Sequence, residues 1–291
     1  MENTLIQTYL FVCQIYDTCS EICFQRLSNN SKPLFTDQEL ITIWFFAHLN
    51  GFSQKKQMHL FIKNYWFDWF PRLPAYQTFV YRLNQLEPSF QTCGKVLFAL
   101  LDGKCPPETD QIIDSFPVML ARNGHSYGAR VARERANIGY CAAKKTRFHG
   151  VRLHLTAARR VGTLPLPTRI WLAQGSVYDS KALKEQTPEI SADALFGDLA
   201  YRDKQLIALL EAQNTQLITP VKKPKGKDLT EKQKYHNRLV SRFRQPIESL
   251  FNWIIEKTNI QTASKVRSTD ALLIHCWGKL AVALFLLAFN Y

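Results

Sequence analysis

Residues 146–157, TRFHGVRLHLTA, form the stretch that decides the fold class. Apolar side chains alternate there with basic and polar ones, at Phe148, Val151, Leu153 and Leu155. This near two-residue period is typical of a half-buried strand. Four other strand-like runs are predicted at residues 111–118 (QIIDSFPV), 168–173 (TRIWLA), 192–199 (ADALFGDL) and 216–220.

Helical patterns lie between and after the later strands. Helices are expected at residues 179–185 and 202–212, and a long one over residues 230–257. Strands that alternate with helices in this way predict an α/β fold, with a mixed five-stranded sheet and flanking helices.

The first hundred residues have helical patterning throughout. Thr36 and Glu39 form a predicted capping box, Gly51 ends the helix that follows it, and Ser53 is expected to cap the next one. A Gly- and Pro-containing stretch after Leu101 then marks a boundary. We predict an all-helical domain at residues 1–108, with a pattern compatible with helix-turn-helix DNA recognition, and an α/β domain at residues 109–291.

The charge is concentrated in the second part of the chain. The 291 residues carry 37 Lys and Arg against 24 Asp and Glu, a formal charge of +13. Residues 1–110 hold 9 basic and 10 acidic residues, whereas residues 111–291 hold 28 and 14. The apolar content of 46% excludes a disordered chain, and the positive charge favours a polyanionic partner, either nucleic acid or an anionic membrane surface.

Residues 271–289 approach the length of a membrane span. His275 and Lys279 interrupt this apolar run, which favours a buried C-terminal helix, packed against the sheet or the Glu248 helix, over a span. The seven cysteines include no C-x-x-C pair and are interpreted as reduced thiols. No secretory signal is recognised, and we expect a cytoplasmic protein without a membrane partner.

Three carboxylates stand where an acid is costly. Asp114 and Asp198 follow apolar residues on predicted strands, and Glu248 borders the apolar face of a predicted helix, one turn after Arg244. Such acids fit a hard cation, because Mg²⁺ prefers oxygen ligands. Each one, taken singly, is also compatible with a turn or capping role.

Other candidate groups favour structural roles. Asp179 is expected to cap the helix that begins at Ser180. His149 and His154 are five residues apart on a strand, so they point to opposite faces. Cys19 and Cys23 lie one helical turn apart without a second pair, which favours buried thiols over a zinc site.

Two basic segments flank the candidate acids. Residues 122–160 hold ten Lys and Arg against one acid, and residues 222–244 hold nine against two. We expect these segments to bind the DNA backbone rather than to be merely solvated. The predicted nucleic-acid contacts are Lys144, Lys145, Arg147, Arg152, Lys222, Lys223, Lys225, Lys227, Arg244 and Lys257.

Five blocks of the chain together resemble the DDE transposases of bacterial insertion sequences. They are IIDSFPV, GYCAAKKTRFHGVRLHL, GSVYDSKAL, LFGDLAYRD and RFRQPIESLFNWI. The resemblance implies a ribonuclease-H-like catalytic domain with Asp114, Asp198 and Glu248 as catalytic and metal-binding residues. Many relatives carry a Tyr and a Lys where Ser241 and Ile255 stand here, and Lys257 is a candidate to replace that Lys.

The resemblance further implies the reaction. The three acids would hold two Mg²⁺ ions about 3.5–4 Å apart, with Mn²⁺ as a substitute, for cleavage of double-stranded DNA at the element's ends and strand transfer into target DNA. A homodimer is expected because two ends must be paired. Two alternatives remain at this point: a metal-dependent nuclease of the same fold without strand transfer, and a catalytically silent DNA-binding protein.

Overall fold

The chain forms two compact units. The computed structural model describes residues 1–19, 33–103 and 110–289. The first unit contains Met1–Leu100, Ile254–Ile260 and Val266–Tyr291, and the second contains Leu101–Trp253 and Gln261–Lys265. The predicted domain boundary after residue 108 lies outside the described residues and stays a prediction. Cys23 also lies outside them, so its interpretation as a buried thiol stays a prediction.

The first unit is helical. Its N-terminal helices are α1 (Glu2–Thr18), α2 (Asp37–Leu49), α3 (Lys55–Tyr65), α4 (Tyr76–Asn84) and α5 (Glu87–Asp102, whose last two residues belong to the second unit). The capping box is confirmed, since the Thr36 side chain accepts from the Glu39 amide and the Glu39 carboxylate accepts from the Thr36 amide. The expected cap at Ser53 is wrong, because α3 begins after Gln54 with no side-chain cap.

The C-terminal segment is helical and buried, as predicted. It comprises α11 (Thr269–Leu273), a π turn at Ile274–Gly278 and α12 (Lys279–Phe289). The Trp44 indole donates to the Gly278 carbonyl at 2.9 Å. The segment shares the first unit with Ile254–Ile260, at the end of the Glu248 helix, and His275 Nε2 lies 2.7 Å from the Ile260 carbonyl oxygen. Packing on the sheet, the other expectation, stays a prediction.

The same segment has the length and composition of a membrane span. Thr269–Phe289 is apolar enough to cross a bilayer, and 78% of its most apolar window is buried inside the structure. The aromatic rings of Phe11 and Phe45 lie against Phe285, at centroid distances of 5.2 Å each. This burial is typical of a core helix.

The second unit is built on one mixed sheet. Its strands are β1 (Asp110–Arg122), β2 (Asn137–Cys141), β3 (Thr146–Ala158), β4 (Leu166–Gln174), β5 (Ala194–Phe196) and β6 (Gln216–Ile218). The order is β2-β3-β1-β5-β6, with β4 also paired to β3. β1, β5 and β6 are parallel, whereas β3 is antiparallel to β1, β2 and β4.

The sheet has six strands among the described residues, so the predicted count of five is wrong. The missed strand is β2, NIGYC, which is short and has no alternating pattern. It pairs with the first half of β3 and β4 pairs with the second half. Gly139 allows this arrangement, because a Cβ there would lie 2.1 Å from the Gly175 carbonyl oxygen.

Helices connect and follow the strands. They are α6 (His125–Gly128), α7 (Asp179–Lys184), α8 (Lys204–Glu211), α9 (Glu231–Arg244) and α10 (Pro246–Thr258). The long helix expected over residues 230–257 is therefore two helices. Pro246 explains the break, because it has no amide hydrogen to continue α9 and is well suited to begin α10.

Candidate active site where the parallel pairing of two strands ends

Two candidate carboxylates lie at equivalent places on neighbouring strands. Ile112 of β1 is paired with Phe196 of β5, and these two strands are parallel. Asp114 and Asp198 each follow two residues after this pair, so both lie where the parallel pairing ends. Asp198 follows the carboxyl end of β5, a frequent place for ligands in α/β proteins, whereas Asp114 lies within β1, which continues to Arg122.

Local hydrogen bonds orient both carboxylates. Asp114 Oδ1 accepts from the Ser115 amide at 2.8 Å. Asp198 precedes a 3₁₀ turn at Leu199–Tyr201, and its Oδ1 accepts from the Ala200 amide at 2.8 Å. Each side chain therefore has one oxygen bound to the backbone.

The two carboxyls share an unfavourable electrostatic environment. Burial raises the pKa of Asp114 to about 6, and Asp198 and Asp179 add to that rise, whereas Arg244 and the Ser115 amide oppose it. Burial also raises the pKa of Asp198, with a further contribution from Asp179. Partly buried acids that repel one another favour a bound cation.

Arg244 connects the first carboxylate to the third. Its Nη1 lies 2.6 Å from Asp114 Oδ2, and its Nη2 lies 3.6 Å from Glu248 Oε1. Arg244 is the last residue of α9 and Glu248 lies in the first turn of α10, so the break at Pro246 separates them by one helical turn. The guanidinium therefore lies between two of the three predicted site acids.

The chain matches a known protein family. The family model of the transposase DDE domain matches residues 106–286, more than half of the chain, and the matched range includes all three carboxylates and Arg244. This chain belongs to the transposase DDE-domain family. No curated protein matches it significantly. The match confirms the resemblance found in the sequence and gives the chain a transposase-type function.

The donor chemistry of the transposase fits a divalent cation. Asp114, Asp198 and Glu248 offer carboxylate oxygens, the ligand type that Mg²⁺ and Mn²⁺ take. Within residues 1–19, 33–103 and 110–289, however, no three His, Cys, Asp or Glu side chains are grouped closely enough to hold an ion. The nearest partner of Asp114 Oδ2 is Arg244 rather than another carboxylate.

Asp179 does not cap its helix, contrary to the sequence-based expectation. The cap residue of α7 is Tyr178, and it makes no side-chain cap. Asp179 Oδ1 instead accepts from Ser115 Oγ at 2.7 Å and lies 3.8 Å from Arg152 Nη1. This carboxylate therefore joins α7 to β1 and β3.

Several buried polar side chains lie around Asp179. His154 is fully buried, stacks on Trp171 with a 5.3 Å centroid distance, and has its Nδ1 3.8 Å from Asp179 Oδ1. Burial lowers the pKa of His154 to about 4, so this ring is neutral at pH 7. The Tyr201 hydroxyl is also buried without a hydrogen-bond partner among the described residues. The sequence analysis missed this group, since only the tertiary fold brings it together.

The predicted DNA contacts fall into two kinds. Lys144, Lys145 and Arg147 lie exposed around the β2–β3 turn. The four lysines at positions 222, 223, 225 and 227 are exposed on the irregular connection between β6 and α9, as predicted for a Pro- and Gly-broken loop. Arg152 differs, because its Nη2 donates to the Tyr140 carbonyl at 2.6 Å and its other donors face Ser115, Asp179 and Gly175.

Lys257 belongs to the first unit, whereas the three site acids belong to the second. It is exposed in the part of α10 that belongs to the first unit, where it lines a small cleft with Met1, Thr4 and His48. Its expected replacement of the lysine missing at Ile255 stays a prediction.

Proposed function

We propose that this transposase cleaves DNA at the ends of an insertion sequence and joins the freed 3′ ends to target DNA, with Mg²⁺ as its cofactor and Mn²⁺ as a substitute. One observation carries the proposal. Asp114 and Asp198 each lie two residues beyond the last residue pair of the neighbouring parallel strands β1 and β5, and Arg244 links Asp114 to Glu248. The ribonuclease-H-like assignment of the sheet belongs to the same proposal.

The three carboxylates are the proposed catalytic and cation-binding residues. Divalent ions would supply charge neutralisation and nucleophile activation for an in-line displacement at phosphorus. Asp114 and Asp198 would present their oxygens from fixed positions, because a backbone amide holds one oxygen of each. Such fixed donors lower the cost of ordering the site when substrate binds.

The exposed basic residues are the proposed contacts to the phosphate backbone of double-stranded DNA. Lys144, Lys145 and Arg147 form one group, and the loop lysines from Lys222 to Lys227 form the other. Phosphate contacts fix position and supply affinity, but they carry no sequence information directly. Arg152 remains in the proposed set with its guanidinium held by internal acceptors.

Recognition of the end sequence is assigned to the helical residues 1–108, and catalysis to residues 109–291. The first part has nearly balanced charge, so base readout suits it better than broad phosphate binding. We propose a homodimer, because transposition requires two ends to be paired, and a cytoplasmic location in keeping with reduced cysteines.

The deciding experiment uses labelled DNA that flanks the transposase's own gene, with and without Mg²⁺. Cleavage that requires Mg²⁺, followed by joining of the labelled 3′-hydroxyl end to a plasmid, is the expected result. Cleavage without joining would identify a nuclease instead. DNA binding without any cleavage would identify a silent DNA-binding protein.

A further inference from the structure

The guanidinium of Arg244 lies where it competes for the site acids. Arg244 Nη1 is 2.6 Å from Asp114 Oδ2, and the side chains of Arg244 and Asp114 are only 19% and 22% exposed. The other oxygen of Asp114 already accepts from the Ser115 amide. Both oxygens of this carboxylate are thus engaged within the protein.

The same guanidinium also reaches the third acid. Its Nη2 is 3.6 Å from Glu248 Oε1, and its charge opposes the rise in the pKa of Asp198. One fixed positive charge therefore acts on all three proposed ligands. An ion that bound Asp114 and Glu248 together would have to displace this guanidinium or share its oxygens with it.

We propose that Arg244 is a competing occupant of the cation site in the DNA-free protein, and that a DNA phosphate draws its guanidinium away. This inference rests on the proposed function, since it assumes that the three acids bind the cation. A guanidinium pairs with phosphate through the same bidentate geometry that it uses with carboxylate. DNA binding and cation binding then strengthen each other, and the coupling is reciprocal.

The position of Arg244 in the chain suits this exchange. It is the last residue of α9, next to the break at Pro246, and 19% of its side chain is exposed to solvent, from which a phosphate would approach. Release of Arg244 would leave Asp114 Oδ2 and Glu248 free to bind the ion.

The first test measures Mn²⁺ binding to the full-length protein without DNA, by isothermal titration calorimetry. Arg244→Gln removes the competitor, so it is expected to bind Mn²⁺ about tenfold more tightly than the wild type, the worth of one charged hydrogen bond. Arg242→Gln is the matched control, because it removes the same charge from an exposed position two residues earlier. The control is expected to change the affinity by less than about threefold.

A second variant covers the case in which Arg244→Gln fails to fold, which a thermal melt would reveal. Arg244→Lys keeps the charge on a side chain that cannot pair with two carboxylates in fork geometry, so an increase of about threefold is expected. Unchanged or weaker Mn²⁺ binding in the folded Arg244 variant, or no Mn²⁺ binding in any variant, would overturn the proposal.

The second test measures the coupling through the affinity for a labelled DNA duplex, by fluorescence anisotropy with and without Ca²⁺ at constant ionic strength. Ca²⁺ is expected to raise the wild-type affinity about threefold to tenfold, and to leave that of Arg244→Gln unchanged. An equal rise in both proteins would contradict the coupling. Neither test requires turnover, so failure to detect strand joining would count against the proposed function and not against this inference.

Discussion

Both units of this transposase bury ionisable groups, but the sheet unit buries acids and the helical unit buries lysines. In the sheet unit, burial raises the pKa of Asp114 to about 6, and its side chain remains 22% exposed beside other acids. In the helical unit, burial lowers the pKa of Lys279 to about 7, and that residue is only 3% exposed. Desolvation is the first cause in both cases.

The difference lies in what compensates each charge. Lys279 donates inward to the Asn259 carbonyl at 3.2 Å, and the neighbouring Lys55 donates to the Asn84 side chain at 2.5 Å. Asp114 instead lies beside Asp198 and Asp179, with Arg244 as its cationic partner. The buried lysine therefore lowers the stability of the fold and is compensated only by acceptors within the protein, whereas the clustered acids are suited to bind an external ligand.

The strongest test of this comparison removes the acids. Asp114→Asn, Asp198→Asn and Glu248→Gln are each expected to lower the cleavage rate by about 10³-fold or more, because each removes a proposed cation ligand. DNA affinity should stay within about threefold of the wild type, because the basic contacts remain. Glu256→Gln, an exposed change on the same helix as Glu248, is the control and should retain activity. Full Mg²⁺-dependent activity in any of the three variants would contradict the assignment.

A second test removes the buried lysine. Lys279→Met should raise the free energy of unfolding at pH 7 by about 1–4 kcal/mol, because it replaces a desolvated charge with an apolar side chain of similar length. Lys95→Met, an exposed change on α5, is the matched control. Urea unfolding of the full chain provides the measurement. A Lys279→Met protein less stable than the control would show that the lysine is stabilising.

The pH dependence sharpens the same test. The unfolded chain holds the Lys279 proton up to a pKa of 10.5, whereas the folded protein loses it near pH 7, so wild-type stability should rise between pH 7 and 8.5. Lys279→Met should reduce that rise. Part of the rise should persist, because burial also lowers the pKa of Lys55, to about 8. The two buried histidines nearby stay neutral over this range, because burial lowers the pKa of His48 to about 3 and that of His275 well below its usual value. An unreduced rise in the variant would assign it elsewhere.

The stability measurement stops at pH 8.5 so that the ionisation of Cys276 does not contribute to it. Burial raises the pKa of Cys276, next to this lysine, to about 12. Above pH 9 the unfolded thiol ionises while the folded one does not, which would lower stability and obscure the lysine.

Asp179 tests whether every acid of the sheet unit behaves alike. Asp179→Asn should cost about 1–3 kcal/mol of stability, because the carboxylate accepts from Ser115 Oγ and lies beside Arg152. Asp193→Asn, at an exposed position of the same unit, should cost less than about 0.5 kcal/mol. Thermal unfolding and cleavage are measured together. A stable but inactive Asp179→Asn protein would show a direct catalytic part.

The smallest expected effect concerns charges that are not buried at all. Replacing Lys222, Lys223, Lys225 and Lys227 by Gln should weaken binding to every DNA sequence alike, by about tenfold, and reduce the slope of log K against log salt by roughly 2–4 units. Stability should be unchanged, because these side chains are exposed. An unchanged slope would indicate that the turn around Lys144, rather than this loop, contacts the DNA backbone.

The sequence predicted the acids of the site better than their surroundings. Asp114 and Asp198 stood out because each interrupts an apolar strand, and local composition is enough to show that conflict. The ion pair of Arg244 with Glu248 follows from their spacing of four residues. The pair of Arg244 with Asp114 does not, because 130 residues separate the two and only the fold brings them together.

The fold shows the same division between local and distant information. Five strands and the Thr36 capping box were predicted, because each has its own local pattern. Strand β2 was missed because its partner β3 and the close approach of Gly139 to Gly175 define it, rather than any alternation of its own. The apolar pattern of the C-terminal segment predicted a buried helix, but it could not show which surface that helix covers.

The helical unit is assembled from both ends of the chain, since Val266–Tyr291 belongs with Met1–Leu100. During synthesis, the early helices leave the ribosome before the helix that supplies Phe285 to Phe11 and Phe45 exists. At roughly 5–20 residues per second, that interval is on the order of ten seconds, and apolar surface stays uncovered throughout it. A fragment beginning at residue 110 would have the reverse fault, because its last helix would lack the rings of α1 and α2. Only a polypeptide that carries both of these segments can close this unit.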